Sequence, residues 1–470
     1  MSHPAKFVSG STLRHVIVMS AAGSVGLMAV FVVDALNLFY ISLLGQQELA
    51  AAIGYAGTLI FFNISISIGL SIAGTAITSR AIGAGEWAVA RQLAGASLFH
   101  TTVIMIVTMI AMFWKLEELV HLMGARGDTA RLTIEFLQIV LPSLPLLGMG
   151  MTMAGLLRAA GDAKRAMYVT LFAGATTAVV DPILIFGLDL GIHGAALSTV
   201  IARFALIVVG WHGLHRVHDL LALPSRSTLI RTARPYSYIA APAVLTQLAT
   251  PVGNAYVTIE IARYGDAAVA AWAVIGRLIP VAFGAMFAMS GAVGPILGQN
   301  FGALRFDRLR STMRNAFLVI AAYTIVMWLV LAVGRDVIAA MFGLQGEARD
   351  LVIFFCLYVS ISFLFAGMLF VSNAAFNNLG YPLLSTVFNW GRATLGTIPF
   401  VWVGSYYYGA DGVLAGFGLG SVFFGVAAAV VCLRVIDRLA EQPPQDPPKA
   451  ARIQLPPTAN SPFTSGKGAT

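Results

Sequence analysis

Charge is scarce in this chain. Asp, Glu, Lys and Arg make up 11% of its 470 residues, against about 25% in an ordinary soluble domain. Hydrophobic residues make up 58%, and the mean hydropathy is +0.83. A water-soluble protein of this composition would expose large apolar patches, a difficulty that a lipid surround removes. Cysteine is nearly absent. Cys356 and Cys432 both sit inside apolar runs, which reads as packing and leaves no disulfide framework or thiolate metal site. A cleavable leader pattern is missing too, because the first apolar segment is too long for a signal-peptide core and similar segments recur along the chain. No HExxH, P-loop, paired-Asp diphosphate motif or GxSxG occurs. Enzymes of those classes and nucleotide-driven pumps are thereby excluded, no cofactor is expected, and uphill transport would have to draw on an ion gradient.

What is present is a series of apolar segments. A bilayer core needs roughly 20 apolar residues as helix, and twelve segments qualify: 16–40, 50–77, 93–114, 132–157, 167–188, 194–213, 237–262, 268–297, 315–333, 351–376, 383–403 and 412–433. Prolines within them, such as Pro142, Pro145, Pro242 and Pro251, are tolerated as kinks in a membrane bundle. Lys and Arg collect on the cytoplasmic side of membrane proteins. With the N-terminus inside, 17 basic residues fall in inside loops and flanks and six in outside loops. Both termini are therefore expected in the cytoplasm, at a plasma membrane of bacterial inner-membrane type. The net charge of +8 is then a topology signal, and no nucleic-acid partner is implied. The Pro-rich, polar end of the chain reads as a disordered tail.

The halves resemble each other. LAAAIGYAG at 49–57 parallels VAAWAVIGR at 269–277, IGAGEWAVAR at 82–91 parallels FGALRFDRLR at 301–310, and AGDAKRAMYVTL at 160–171 parallels LGYPLLSTVFNW at 379–390, at a shared offset of about 219 residues. Six spans return each half to the same side, so the repeats are parallel, a plan common among transporters with the substrate site between lobes. The expected organisation is an all-α integral membrane protein of twelve transmembrane helices in two parallel six-helix repeats. It comprises a cytoplasmic N-terminus (1–14), an N-terminal lobe (15–213), a linker (214–235), a C-terminal lobe (236–435) and a tail (436–470). A monomer is expected, since one chain supplies both lobes.

Only two Asp residues lie deep within spans, Asp34 and Asp181. An Asp at mid-membrane costs about 2.5–3.5 kcal/mol on insertion scales and is functional by default. Counted inward at 1.5 Å per residue, both sit roughly 9–11 Å below the outer boundary. Thr199 lies at similar depth, and Thr177 is one turn inward of Asp181 on the same face. Two carboxylates and two hydroxyls at one level could hold Na⁺, or desolvation could make the carboxylates proton carriers. The structural alternative has Asp181 capping a kink at Pro182, Asp34 bonding a neighbouring helix, and each Thr bonding its own backbone. Arg203 could pair with an Asp. Arg277 and Arg392 could face a central cavity, or all three could snorkel. Asn63, Gln247, Asn254 and Asn389 could touch substrate or join helices. Glu260, near the outer end of its span, is expected to be solvated.

Several blocks resemble the multidrug and toxic compound extrusion (MATE) family: VDALNLFYISLLGQQELAA at 33–51, ITSRAIGAGE at 77–86, LLRAAGDAKRAM at 156–167, VDPILIFGLDLGIHGAALSTV at 180–200 and GPILGQNFGA at 294–303. The resemblance covers residues 15–435. It implies two six-helix lobes, export of small, often amphipathic or cationic molecules by H⁺- or Na⁺-driven antiport, and alternating access around a cleft between the lobes. The likeness is greatest to the DinF-like branch, whose cation site is in the N-terminal lobe. This maps it onto Asp34, Asp181 and Thr199, with Ala195 as a backbone-carbonyl ligand. Where the family usually has Asn one turn before the second Asp, this chain has Thr177, a shorter reach that favours H⁺ over Na⁺. The NorM-like branch uses carboxylates in helices 7 and 10, for which this chain offers no matching pair. Two other functions compete with export: flipping of a lipid-linked precursor, and a membrane-embedded enzyme or sensor.

Overall fold

The computed structural model describes residues 5–42 and 47–441, without the side chains of residues 34, 35, 38, 39, 41, 42, 47 and 50. Fifteen helices follow one another: α1 (Thr12–Ser42), α2 (Gln47–Gly83), α3 (Trp87–Trp114), α4 (Leu116–Leu122), α5 (Gly127–Val140), α6 (Leu144–Ala159), α7 (Ala163–Pro182), α8 (Gly191–Trp211), α9 (Arg226–Ala262), α10 (Asp266–Gly302), α11 (Phe306–Met341), α12 (Gly346–Phe354), α13 (Phe363–Leu379), α14 (Pro382–Ala393) and α15 (Ile398–Glu441). No strand occurs among the described residues. With no water in the hydrocarbon to satisfy backbone groups, a helical bundle is one of only two architectures open to such a chain.

Among the described residues, ten helical runs are long and apolar enough to cross a bilayer. Two features bring the number of crossings to the expected twelve. Helix α9 is 37 residues long but begins with a polar stretch and carries Pro235, Pro242 and Pro251, so its length crosses where its composition alone does not qualify. The run Pro382–Glu441 counts once yet folds back on itself. Gly409 leaves the helix at φ 60°, ψ −140°, a conformation open chiefly to glycine. Beyond that turn the two arms touch backbone to backbone: a Cβ on Gly404 would stand 2.0 Å from the Gly412 carbonyl oxygen, and one on Gly416 2.4 Å from that of Phe400. This is close small-residue packing of membrane helices.

Two hydrophobic cores define two lobes. One gathers buried residues from Leu49 to Ala240. The other runs from Val257 to Leu439 and also takes in Phe7, Val16 and Met19 from the chain's beginning. The stretch 214–235, expected as a linker, is mostly helical: a π-helical turn carries α8 on through His212–Val217, and α9 begins at Arg226. Tyr236, at the head of α9, is fully buried in the first core. It bonds the Thr101 hydroxyl at 2.9 Å and donates to the Leu70 carbonyl at 3.0 Å, so the first turns of α9 belong mechanically to the N-terminal lobe. At the other end α15 stays helical to Glu441, past the expected start of the tail at 436. Residues 442–470 of that tail lie outside the described residues.

One end of the bundle collects the N-terminal segment, the C-terminal ends of α2, α6 and α10, and Arg80, Arg158, Arg165, Arg305 and Arg308. We call it the basic end.

Candidate functional site: a buried carboxylate beside an inter-lobe cleft

Asp181 is the penultimate residue of α7 and is completely buried. Pro182 follows it and has no N–H for the helix ladder. The chain answers with a π-helical turn over Ile183–Gly187, in which Leu188 N–H reaches the Ile183 carbonyl at 2.9 Å. Such turns frequently mark functional positions. Helix α8 seats on this turn through Gly194, where a Cβ would lie 2.7 Å from the Leu184 carbonyl carbon. That close approach explains the Gly194-Ala195-Ala196 run. Among the described residues, neither carboxylate oxygen of Asp181 has a hydrogen-bond partner. The buried Ser198 hydroxyl comes near the carboxyl without reaching hydrogen-bonding geometry and is itself unpartnered.

The other expected members are placed as follows. The Thr177 hydroxyl donates to the Ala173 carbonyl at 3.2 Å, and the Thr199 hydroxyl to the Ala195 carbonyl at 3.0 Å, each within its own helix. Ser198 rather than Thr199 shares the face of Gly194, being four residues on rather than five. Ser198 was missed in the sequence because depth alone, without helical phase, chose its neighbour. Helices α1 and α7 run side by side: a Cβ on Gly26 would meet the Thr170 hydroxyl oxygen at 2.6 Å, and one on Gly174 would meet Val33 at 3.0 Å. This register puts the backbone of Asp34, next after Val33, near Gly174, about two turns before Asp181. The Asp34 side chain lies outside the described residues.

Arg203 does not pair with Asp181. Its guanidinium is buried on α8 and donates to the Val140 carbonyl at 2.9 Å and to the Ser143 hydroxyl at 2.7 Å. The 3₁₀ turn Leu141–Ser143, with Pro142 within it, interrupts the ladder between α5 and α6 and frees that carbonyl. Glu260, expected to be solvated, is instead 3% exposed and pairs with Arg263 at 3.1 Å. Its neighbours Val257 and Ile261 anchor that end of α9 in the C-terminal core and draw it under.

The residues proposed for the cavity divide. Asn63 is buried in the N-terminal lobe, donating to the Leu59 carbonyl at 2.8 Å, and Asn389 is buried in the C-terminal lobe, donating to the Ser385 carbonyl at 2.8 Å. Arg392 is buried too, its Nη2 donating to the Thr250 hydroxyl at 3.1 Å while its Nε has no partner among the described residues. Gln247 is half-buried, and Asn254 and Arg277 are exposed. Gln247 and Asn254 lie close in helical phase to Val244 of α9, which meets Gly69 of α2.

The lobes meet tightly at the basic end. A Cβ on Gly83 would stand 1.9 Å from the Gln299 carbonyl oxygen, and one on Gly302 2.0 Å from that of Arg80, so α2 and α10 touch through their backbones. Arg80 is buried and donates from Nε to the Asn378 carbonyl and from Nη2 to the Asn377 carbonyl, both at 2.8 Å across the lobe boundary. The segment before α1 covers the seam. Phe7 is buried, with its N–H donating to Gln299 Oε1 at 2.9 Å and its carbonyl accepting from Arg308 at 2.8 Å, while Lys6 donates to the Gly161 carbonyl at 2.8 Å. Towards the opposite end the facing surfaces part: Thr58 and Phe62 of α2 and Ala270, Ala273 and Arg277 of α10 are exposed. The cleft is closed at the basic end and opens away from it.

Beside the seam, Asp162 caps α7. Its carboxylate accepts the Arg165 N–H at 3.0 Å and the Arg165 guanidinium at 2.6 Å, and lies 2.7 Å from His218 Nε2. Burial pushes its pKa up, but His218 and both Arg165 groups outweigh that and hold the carboxyl well below its ordinary value. A depressed carboxylate stabilises the fold above its unfolded pKa of about 3.9, and the contribution fades as pH falls below that. Asp162→Ala should cost about 1–2 kcal/mol at pH 7 and should flatten the decline of stability at acid pH. Thermal unfolding in detergent at pH 7 and pH 3.5 checks this, and parallel declines in both proteins would refute it.

A two-lobed helical membrane protein with a cleft between its lobes, and a buried carboxylate beside that cleft, has the form of a transporter. The MatE family model matches the chain twice, over residues 22–183 and 242–403, and the chain belongs to that family. The two matches lie one per lobe, close to the offset read from the sequence. The chain is 26% identical to the FAD transporter of Shewanella oneidensis over 90% of this chain and 95% of that one. It is 22% identical to the multidrug export protein MepA of Staphylococcus saprophyticus over 92% and 96%. It superposes on the Vibrio cholerae MATE transporter VcmN with a TM-score of 0.87 at 25% identity, covering 91% of this chain and 97% of that one. The protein is thus a multi-pass membrane transporter of small molecules, of the efflux type, and not an enzyme.

Proposed function

We propose that the protein is a cation-coupled antiporter that exports small amphipathic compounds by alternating access, driven by H⁺ in preference to Na⁺. The observation that carries the reading is Asp181, buried with both carboxylate oxygens unpartnered among the described residues. An ionised carboxylate in that setting costs several kcal/mol, and binding a cation relieves the cost. A proton is satisfied by one carboxyl, whereas a hard metal cation needs several oxygens, and Thr177 reaches less far than the Asn usual in the family at that position. Asp34 is the second member of the site, as in the DinF-like branch. Ser198 is added to it.

The basic end is assigned to the cytoplasm by the excess of Lys and Arg there, and the bilayer to an inner, plasma-type membrane. The conformation is then outward-facing. Cation uptake at Asp181 and Asp34 repacks α1 against α7 and expels substrate. The seam formed by α2, α10 and the N-terminal segment then opens inward to release the cation and load substrate. The FAD transporter and multidrug export proteins among the relatives make amphipathic aromatic compounds the first substrates to try. Everted vesicles under a pH gradient and, separately, a Na⁺ gradient test the coupling. The expected result is substrate accumulation driven by the pH gradient alone, and accumulation driven only by Na⁺ would overturn the choice of ion.

A further inference from the structure

One charge on the cleft wall has no part in the coupling site. Arg277 lies eleven residues into α10, about 16 Å from its start at 1.5 Å per residue. It shares a helical face with Gly284, Ala288 and Gly291, which follow it by close to two, three and four turns. That face looks at the other lobe. A Cβ on Gly284 would meet Phe31 at 3.3 Å, one on Gly23 would meet Ala288 at 3.3 Å, and one on Gly291 would meet Arg158 Nε at 3.9 Å. The opposite side of α10 (Ala268, Ala271 and Ile275) is buried in the C-terminal core. Arg277, about two turns from Gly284 on the same face, towards the open end, and exposed, is therefore placed on the wall of the inter-lobe cleft. It is exposed, and it enters no ion pair or hydrogen bond among the described residues. The other acid or base on this face is Asp266, eleven residues outward at the rim. Thr58 of α2, the position equivalent to Arg277 by the repeat offset of about 219 residues, is exposed too, as are Phe62 one turn on and Asn254 of α9.

A guanidinium between low-dielectric walls focuses a positive potential into the cleft. Its planar fork matches a carboxylate or a phosphate in two parallel hydrogen bonds. An organic cation docked here would face repulsion from Arg277, while an anion would find its partner, with the aromatic and small apolar surfaces left for a flat ring system. We infer that the cleft selects amphipathic organic anions, an aromatic body bearing a carboxylate or phosphate, with Arg277 as the group that holds the anion. The inference rests on the reading of the cleft as the export path and replaces cationic drugs with anions as the favoured class.

Binding to the purified full-length protein in detergent tests this without any gradient, so failed coupling and failed anion recognition give different results. Fluorescence anisotropy of flavin mononucleotide (a phosphate) and fluorescein (a carboxylate) would be compared with that of ethidium (a cation) for wild type, Arg277→Gln and Arg277→Lys. The expected result is that Arg277→Gln weakens at least one of the anionic probes tenfold or more, Arg277→Lys recovers most of that loss, and ethidium binding is unchanged or tightened. Whichever anionic probe shows the Arg277 dependence identifies the preferred headgroup. The inference is overturned if wild type binds neither anionic probe, if Arg277→Gln leaves both unaffected, or if all three probes weaken alike.

Discussion

Asp181→Asn is expected to abolish the response of export to an imposed cation gradient, reducing initial uptake into everted vesicles at least tenfold. Asparagine has nearly the shape of a protonated aspartic acid but cannot take up or release the cation, so it holds the site in one state. A bound cation can shift a two-state equilibrium only by its differential affinity for the two states, and about 5.5 kcal/mol is needed to move it from 1:99 to 99:1. The variant supplies none of that difference. It is not expected to lose stability. Wild-type Asp181 has two oxygens without a partner among the described residues, in a fully buried position, and replacing an unpaired buried charge by a neutral isostere removes a cost rather than a bond. An unfolding temperature in detergent at or above that of wild type, together with lost coupling, is the expected pair of results. Retained gradient-driven export would remove Asp181 from the coupling site.

Loosening the seam at the basic end should have the second large effect. Arg80→Ala removes two charge-assisted hydrogen bonds to the Asn377 and Asn378 carbonyls, each worth about 1.5–3 kcal/mol. Gly83→Val puts a side chain where a Cβ already comes within 1.9 Å of the Gln299 backbone oxygen, and neither backbone can yield without parting α2 from α10. Both variants should favour the conformation in which the seam is open. For Arg80→Ala a loss of about 3 kcal/mol corresponds to roughly a hundredfold change in the equilibrium. Spin labels at the exposed Glu86 and Asp307, one on each lobe, would report the change as a longer distance distribution. The two native cysteines are both buried, so introduced labelling sites can be addressed selectively. An unchanged distribution in both variants would show that the contacts do not govern closure.

The two effects act on opposite ends of one cycle. Asp181 decides what the cation gradient can do, and the seam decides which side the cleft faces. A variant that opens the seam while leaving Asp181 intact should still bind the cation.

Much of this protein is determined by its sequence alone. Apolar run lengths give the spans, because hydrocarbon thickness leaves a helix little choice of length. The repeat offset gives two lobes, and the scarcity of intramembrane carboxylates singles out Asp181, because each one costs too much to be casual. Only the tertiary structure decides what these residues touch. Depth along a helix is legible from residue number, but the facing partner depends on how two helices are rotated and staggered. Hence Ser198 and not Thr199 faces Asp181, Arg203 is tied to the Val140 carbonyl freed by a 3₁₀ turn, and Glu260 is buried where its position near a helix end suggested water. The seam is the clearest case. Arg80, Phe7 and Gln299 lie far apart in sequence and carry no local pattern, and they become a closure only because two lobes with separate cores are pressed together at one end.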